Sequence, residues 1–137
     1  MDQSSLASLV VDLFAVIQLL AGYPADTDPP AVHFIPQAQL SQMVCGRPCR
    51  VRAVYLRDSG IYLDEALDVH DDDLARSILL HELVHHAQAV SGNFDLLNDD
   101  CRRWTEAERE AYKLQRLYLR HINSPIGLAR FSGSHTC

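Results

Sequence analysis

The stretch that decides the reading is His81-Glu82-Leu83-Val84-His85, an H-E-x-x-H pattern inside an apolar segment with helical character. On a helix, residues four apart share a face, with Cβ atoms about 5–6 Å apart. Two imidazoles at that spacing can close on one metal ion. Zinc accepts neutral imidazole nitrogens at roughly 2.0–2.1 Å and keeps a position open for water in catalytic sites. Glu82 follows the first histidine directly and points to one side of the pair. From there its carboxylate can act as general base on an activated water without itself being a ligand. The competing reading is a helix with two solvated histidines and a surface glutamate. The flanks count against it. Leu79, Leu80, Leu83, Val84, Ala87 and Val90 make the segment strongly apolar, and ionisable groups in such a helix are rarely left without partners.

Two histidines do not hold a catalytic zinc, so a third protein ligand is needed. Downstream candidates are Glu106, Glu108, Glu110, His121 and His135. In the stretch from Trp104 to Tyr112, helical spacing predicts that Trp104, Ala107 and Ala111 set the buried face. Glu108 lies four residues after Trp104 and three before Ala111, so it flanks that face and is the best ligand on helical geometry. Glu106 and Glu110 rotate further away and read as partners of arginines on a solvated face.

Working outward, apolar positions from Leu6 to Leu20 recur at helical spacing and predict a core-packing helix over residues 4–21. Ser4 or Ser5 would cap it, and Gly22 and Pro24 would end it. Val32–Ile35 reads as a short strand stopped by Pro36, and residues 37–44 as a helical turn or short helix. Val51–Tyr55 and Ile61–Leu63, joined by Arg57-Asp58-Ser59-Gly60, read as a hairpin. Asp71-Asp72-Asp73 suits the N-terminus of the motif helix, which should run to about Val90 and close at Ser91-Gly92. A last long helix spans roughly Asp99–Ile122, with Arg102, Arg109, Arg116 and Arg120 on a solvated face. The expected fold is α+β, with about three main helices and a small antiparallel sheet or hairpin, in one domain over residues 1–137.

The chain has 137 residues and a formal charge of −6. That charge argues against a nucleic-acid binder or a polybasic membrane-surface protein. Cys45, Cys49, Cys101 and Cys137 permit two disulfides, with Cys45–Cys49 and Cys101–Cys137 the favoured pairs. Disulfides imply an oxidising compartment, hence a secreted or periplasmic protein. The alternative is four reduced cysteines. Leu6–Ala21 is apolar but has Asp2 and Asp12 where a signal peptide has a basic region, and the run is short for a bilayer span. For an exported protein, the expectation is that the numbered chain begins after a removed signal.

His81-Glu82-Leu83-Val84-His85, followed over 20 residues later by Glu108-Arg109-Glu110-Ala111, resembles the gluzincin group of zinc metallopeptidases. It is similar in particular to the minimal single-domain forms, which pair an H-E-x-x-H helix with a later E-x-x-A helix. The motifs cover residues 81–85 and 108–111, and the order of elements extends the likeness to most of the chain. The resemblance implies a zincin-like fold with zinc held by His81, His85 and Glu108, and Glu82 as base. It also implies a peptide or protein substrate, and an edge strand, here Ile61–Leu63, that pairs with it. Such proteins often carry Asp or Asn after the alanine; here the residue is Tyr112, which leaves open what orients the histidines. Gln88, three residues after His85, is one candidate.

For the donor that stabilises a tetrahedral intermediate, Tyr112 comes first and His121 second, with packing as the other role for Tyr112. His86 points away from the site, and His33 and His70 have no evident partner. The resulting expectation is a zinc-dependent peptide hydrolase. The alternatives are a zinc hydrolase of another amide or ester, and a non-catalytic binding module held by zinc or by disulfides.

Overall fold

The protein is described by a computed structural model covering residues 3–97 and 99–128. Among these residues the elements run α1 (Gln3–Ala21), β1 (Val32–Ile35), α2 (Gln37–Cys45), β2 (Ala53–Leu56), β3 (Gly60–Asp64), α3 (Asp73–Ser91) and α4 (Asp100–His121). The fold is α+β, with four helices and a three-stranded mixed sheet.

α3 is the spine. It packs against α4, β2, α1 and β3, and so is buried nearly all round: Leu79, Leu80, Leu83 and Val84 are fully enclosed. A helix surrounded on every side needs apolar residues in an almost continuous run, which is what this segment provides. Its ends are defined by local chemistry. Asp72 accepts a hydrogen bond from the Leu74 N–H at 2.9 Å at the start, and Gly92 takes the left-handed conformation at the end. α1 contributes Val10, Leu13, Phe14 and Ile17 to the core. It is 19 residues long, and by length and composition it is long and apolar enough to cross a membrane, which corrects the expectation that the run from Leu6 is too short for that. The helix already includes Gln3, so Ser4 and Ser5 lie inside it rather than before it.

The hairpin of β2 and β3 is antiparallel, with Val54 opposite Tyr62. β1 then adds in parallel on the other side of β3, with Val32 opposite Ile61. The sheet order is therefore β1-β3-β2, and this changes one expectation. Ile61–Leu63 is the central strand, with both edges paired, so it cannot take an extended substrate. Ile61 and Leu63 are fully buried beneath the helices. The exposed edge near α3 belongs to β2. The Asp64 N–H donates to the Arg52 carbonyl at 2.9 Å, which sets the alternation along the pair. Arg52 and Val54 bond to β3, and the main-chain groups of Ala53 and Tyr55 point off the open edge.

Cys45 and Cys49 form a disulfide that closes the loop after α2. The expected Cys101–Cys137 pair, like His135, involves a position outside the described residues.

β1 reaches β3 through a close approach at Gly60. Its φ is 111°, and a Cβ there would lie 2.4 Å from the Ala31 carbonyl oxygen, the acceptor of the Ile61 N–H at 2.8 Å. Gly60→Ala combines an unfavourable backbone angle with a backbone clash and should destabilise the protein by about 2–4 kcal/mol. Urea unfolding measures this; a loss under about 0.5 kcal/mol would contradict the close approach.

Candidate metal centre

α4 lies along α3, and their facing sides carry His81, His85 and Glu108. α4 buries Ala111 as expected, Ala107 in part, and not Trp104. Its buried residues are Thr105, Ala111, Leu114, Gln115, Tyr118 and Leu119, while Trp104 is 50% exposed. The first turns of α4 run past the end of the core and along a cleft of about 720 Å³ that Trp104 helps to line. Glu108, one turn further on, lines the same cleft.

His81 Nε2 is 3.2 Å from Glu108 Oε1, and His85 Nε2 is in close contact with the same oxygen. The three potential ligand atoms lie within 4.8 Å of one another. Hydrogen bonds behind them settle the histidine tautomers. Ser77 Oγ donates to the Leu74 carbonyl at 2.7 Å and accepts from Gln115 Nε2 at 3.0 Å. The Gln115 carbonyl oxygen therefore faces His81, and His81 Nδ1–H donates to it at 3.0 Å. In the same way Gln88 Nε2 donates to the Ala107 carbonyl and to Glu110, both at 3.0 Å, so its oxygen accepts from His85 Nδ1–H at 2.9 Å. Each imidazole keeps a proton on Nδ1; in the neutral form it turns an Nε2 lone pair inward, and in the protonated form Nε2–H donates to Glu108 instead. Two lone pairs and a carboxylate oxygen converging on one point repel unless a cation lies between them, so the donor set fits a divalent metal ion.

The electrostatics follow from this convergence. Burial favours a neutral Glu108, but hydrogen bonds and charges from His81 and His85 outweigh it and hold its pKa down to about 2. Burial likewise disfavours charged His85, yet the Glu108 hydrogen bond and the carboxylates of Glu82 and Glu108 raise its pKa. Protons and a metal therefore compete for the same point.

Glu82 is only 7% exposed and lines the cleft. Its pKa is raised by burial, partly offset by His81 and His85. The Tyr112 ring lies edge-on to His81 with centroids 4.5 Å apart, and Tyr112 also lines the cleft. His121 does not join it: it ends α4, thirteen residues beyond Glu108 and so roughly 20 Å along the helix.

Other sequence candidates find different places. Glu106 lies 3.6 Å from Arg109 at the surface, as expected of a solvated pair. Glu110 pairs with no arginine among the described residues. It accepts from Tyr23 Oη at 2.5 Å and from Gln88, and Asn93 Nδ2 donates to Tyr23 Oη at 2.6 Å. Glu110 thus anchors the glutamine that orients His85. His86 lies outside the centre, 3.0 Å from Tyr55 Oη. His33 stacks on Tyr62, and His70 Nε2 lies 3.3 Å from Ser5 Oγ.

Gln115 is the residue that sequence reasoning missed. A signal existed: Gln115 stands seven residues after Glu108, as Gln88 stands seven after His81, two turns along the same face.

The class of protein these observations define is an α+β domain with a His-His-Glu group that could hold a metal ion. Residues 2–127 match the family model described as a domain of unknown function, DUF6647, and the chain belongs to that family. No curated protein and no solved structure matches it.

Glu108→Gln should abolish tight metal binding, whereas Gln115→Leu and Gln88→Leu should each weaken it about 10–100-fold. Calorimetric titration with zinc reads all three; unchanged affinity in Glu108→Gln would remove it from the ligand set. Proton competition predicts that wild-type affinity falls at least about tenfold from about pH 7.5 to about pH 5.5. A flat profile over that range would contradict the convergence of titrating ligands.

Proposed function

We propose that the protein is a zinc-dependent hydrolase that cleaves peptide bonds, a zincin-like metallopeptidase of the minimal gluzincin type. The observation that carries this reading is Glu82. A buried carboxyl that makes no hydrogen bond or ion pair with any described residue lies in the cleft beside three converging metal-ligand candidates. A site that only tied two helices together has no use for such a group, and structural zinc sites usually fill all four positions with Cys or His.

In this reading His81, His85 and Glu108 hold the ion, and Gln115 and Gln88 keep the two imidazoles in the ligating tautomer. A bound zinc ion would supply Lewis-acid activation of a water and of the substrate carbonyl. Glu82 takes the proton from the attacking water on its carboxylate and can pass it to the leaving amine. Burial raises its pKa, which suits a group that must both accept and return a proton near neutrality. Tyr112, in the same cleft, is the hydroxyl donor for the developing oxyanion.

The open edge of β2 favours a peptide over a small ester. Ala53, Val54 and Tyr55 line the cleft, and the outward main-chain groups of Ala53 and Tyr55 can pair with an extended chain. The Cys45–Cys49 disulfide supports a secreted or periplasmic setting.

Glu82→Gln should retain zinc at wild-type stoichiometry and lose peptidase activity by at least about 10². Metal analysis together with cleavage of a mixed peptide library, followed by mass spectrometry with and without a chelator, provides the test. Cleavage by Glu82→Gln at the wild-type rate, or cleavage indifferent to the chelator, would sink the mechanism.

A further inference from the structure

The chain is acidic overall, but its charge is unevenly distributed. Between Pro29 and Arg57 there are four arginines, Arg47, Arg50, Arg52 and Arg57, and no Asp or Glu, in a protein with eighteen acidic residues. All four arginines are exposed. Arg47, Arg50 and Arg52 form no ion pair among the described residues. Arg57 has one ion pair among the described residues, 3.7 Å from Asp95, with both side chains more than half exposed. A pair of that kind contributes little and is readily exchanged.

This basic run leads directly into the open edge of the sheet. Arg52 immediately precedes β2 and Arg57 immediately follows it, and Arg57 lines the cleft. The two arginines bracket a stretch roughly 17 Å long at about 3.3 Å per residue. An odd spacing puts the two side chains on opposite faces of the edge, Arg57 in the cleft and Arg52 outside it. A peptide strand paired along Ala53–Leu56, whose own side chains alternate in the same way, would meet one guanidinium on each face. Guanidinium groups bind carboxylates through paired N–H donors. Asp64, across from Arg52 on β3, accepts from Gln37 Nε2 at 2.7 Å and from the Ala66 N–H at 2.9 Å and makes no ion pair with Arg52.

We propose that the β2 edge selects acidic peptides, with Arg57 in the cleft and Arg52 on the other face reading Asp or Glu side chains about five residues apart at the two ends of the edge. The inference rests on the peptide-hydrolase reading for where the substrate lies. A nucleic-acid strand fits less well: it carries a charge at every nucleotide and would meet a protein that is otherwise strongly acidic. A peptide brings its charge only where the arginines stand.

The test uses the full chain carrying Glu82→Gln and loaded with zinc, so that binding is measured without turnover. The probes are three otherwise identical ten-residue peptides with Glu, Gln or Lys at two positions five residues apart. Fluorescence anisotropy should show the Glu peptide binding at least tenfold more tightly than the Gln peptide, with the Lys peptide weakest. Adding Arg52→Gln and Arg57→Gln should reduce the Glu-over-Gln preference to less than threefold. The pair Arg109→Gln and Arg120→Gln, which removes the same charge from α4 away from the cleft, should preserve it.

Equal binding of the three peptides, no binding of any, or loss of preference in both double variants overturns the proposal. So does displacement of the Glu peptide by a short single-stranded DNA at equal concentration. Turnover of the same peptides by the wild-type protein tests the hydrolase reading separately. Selective binding without cleavage would refute hydrolysis and leave the charge selectivity standing.

Discussion

The structure depends on a local repulsion. With neutral imidazoles, His81, His85 and Glu108 aim two nitrogen lone pairs and a carboxylate oxygen at one point, and either a proton or a metal ion among the three groups relieves the repulsion. Holding it in a buried place requires that each group be fixed from behind. Gln115 and Gln88 do this for the imidazoles, and each glutamine has its own amide direction set by a further acceptor, Ser77 in one case and Ala107 and Glu110 in the other. A half-satisfied polar network in this position would cost more than an apolar core. Here the chain of partners runs outward until it reaches backbone carbonyls and the Tyr23–Asn93 pair.

The fold explains why that network stands on α3. A helix enclosed on most of its faces is a rigid platform in a small domain, because most of its side chains are held by packing. The cost is that any polar group it carries must find a partner inside the protein. His81 and His85 find theirs on α4 and within α3. Glu82 is the exception: it faces the cleft, and its burial raises its proton affinity. The same helix flanks β2, so the open strand edge and the candidate metal centre share one cleft. The arrangement therefore brings the His81–His85–Glu108 group, the Glu82 carboxyl and an unpaired strand edge to one cleft.

Much of this was legible in the sequence. The boundaries of the long helices, the hairpin, the caps at Asp72 and Gly92 and the Cys45–Cys49 disulfide follow from local rules of periodicity, turn chemistry and spacing, and the structure agrees with them. Gln88 as support for His85 is also a local matter, three residues along one helix. The orientation of α4 was not legible from Trp104. A large aromatic side chain suggests core, but near the end of a helix it can equally lie along a cleft, and only the neighbouring elements determine which. Glu110 shows the same limit, since its partners Tyr23 and Gln88 come from distant parts of the chain.

What the sequence by itself determined is the set of elements and the H-E-x-x-H face, because both follow from interactions within a few residues along the backbone. The tertiary structure alone decided three further things. β1 adds in parallel beside β3, which makes Ile61–Leu63 central and leaves β1 and β2 as the two edges, with β2 the one that borders the cleft. Gln115 reaches His81 across 34 positions of chain. Glu108, rather than Glu106 or Glu110, meets both imidazoles. Each depends on how two elements pack against one another. A helix or strand records in its own residues which side is apolar, but not the angle at which its neighbour arrives.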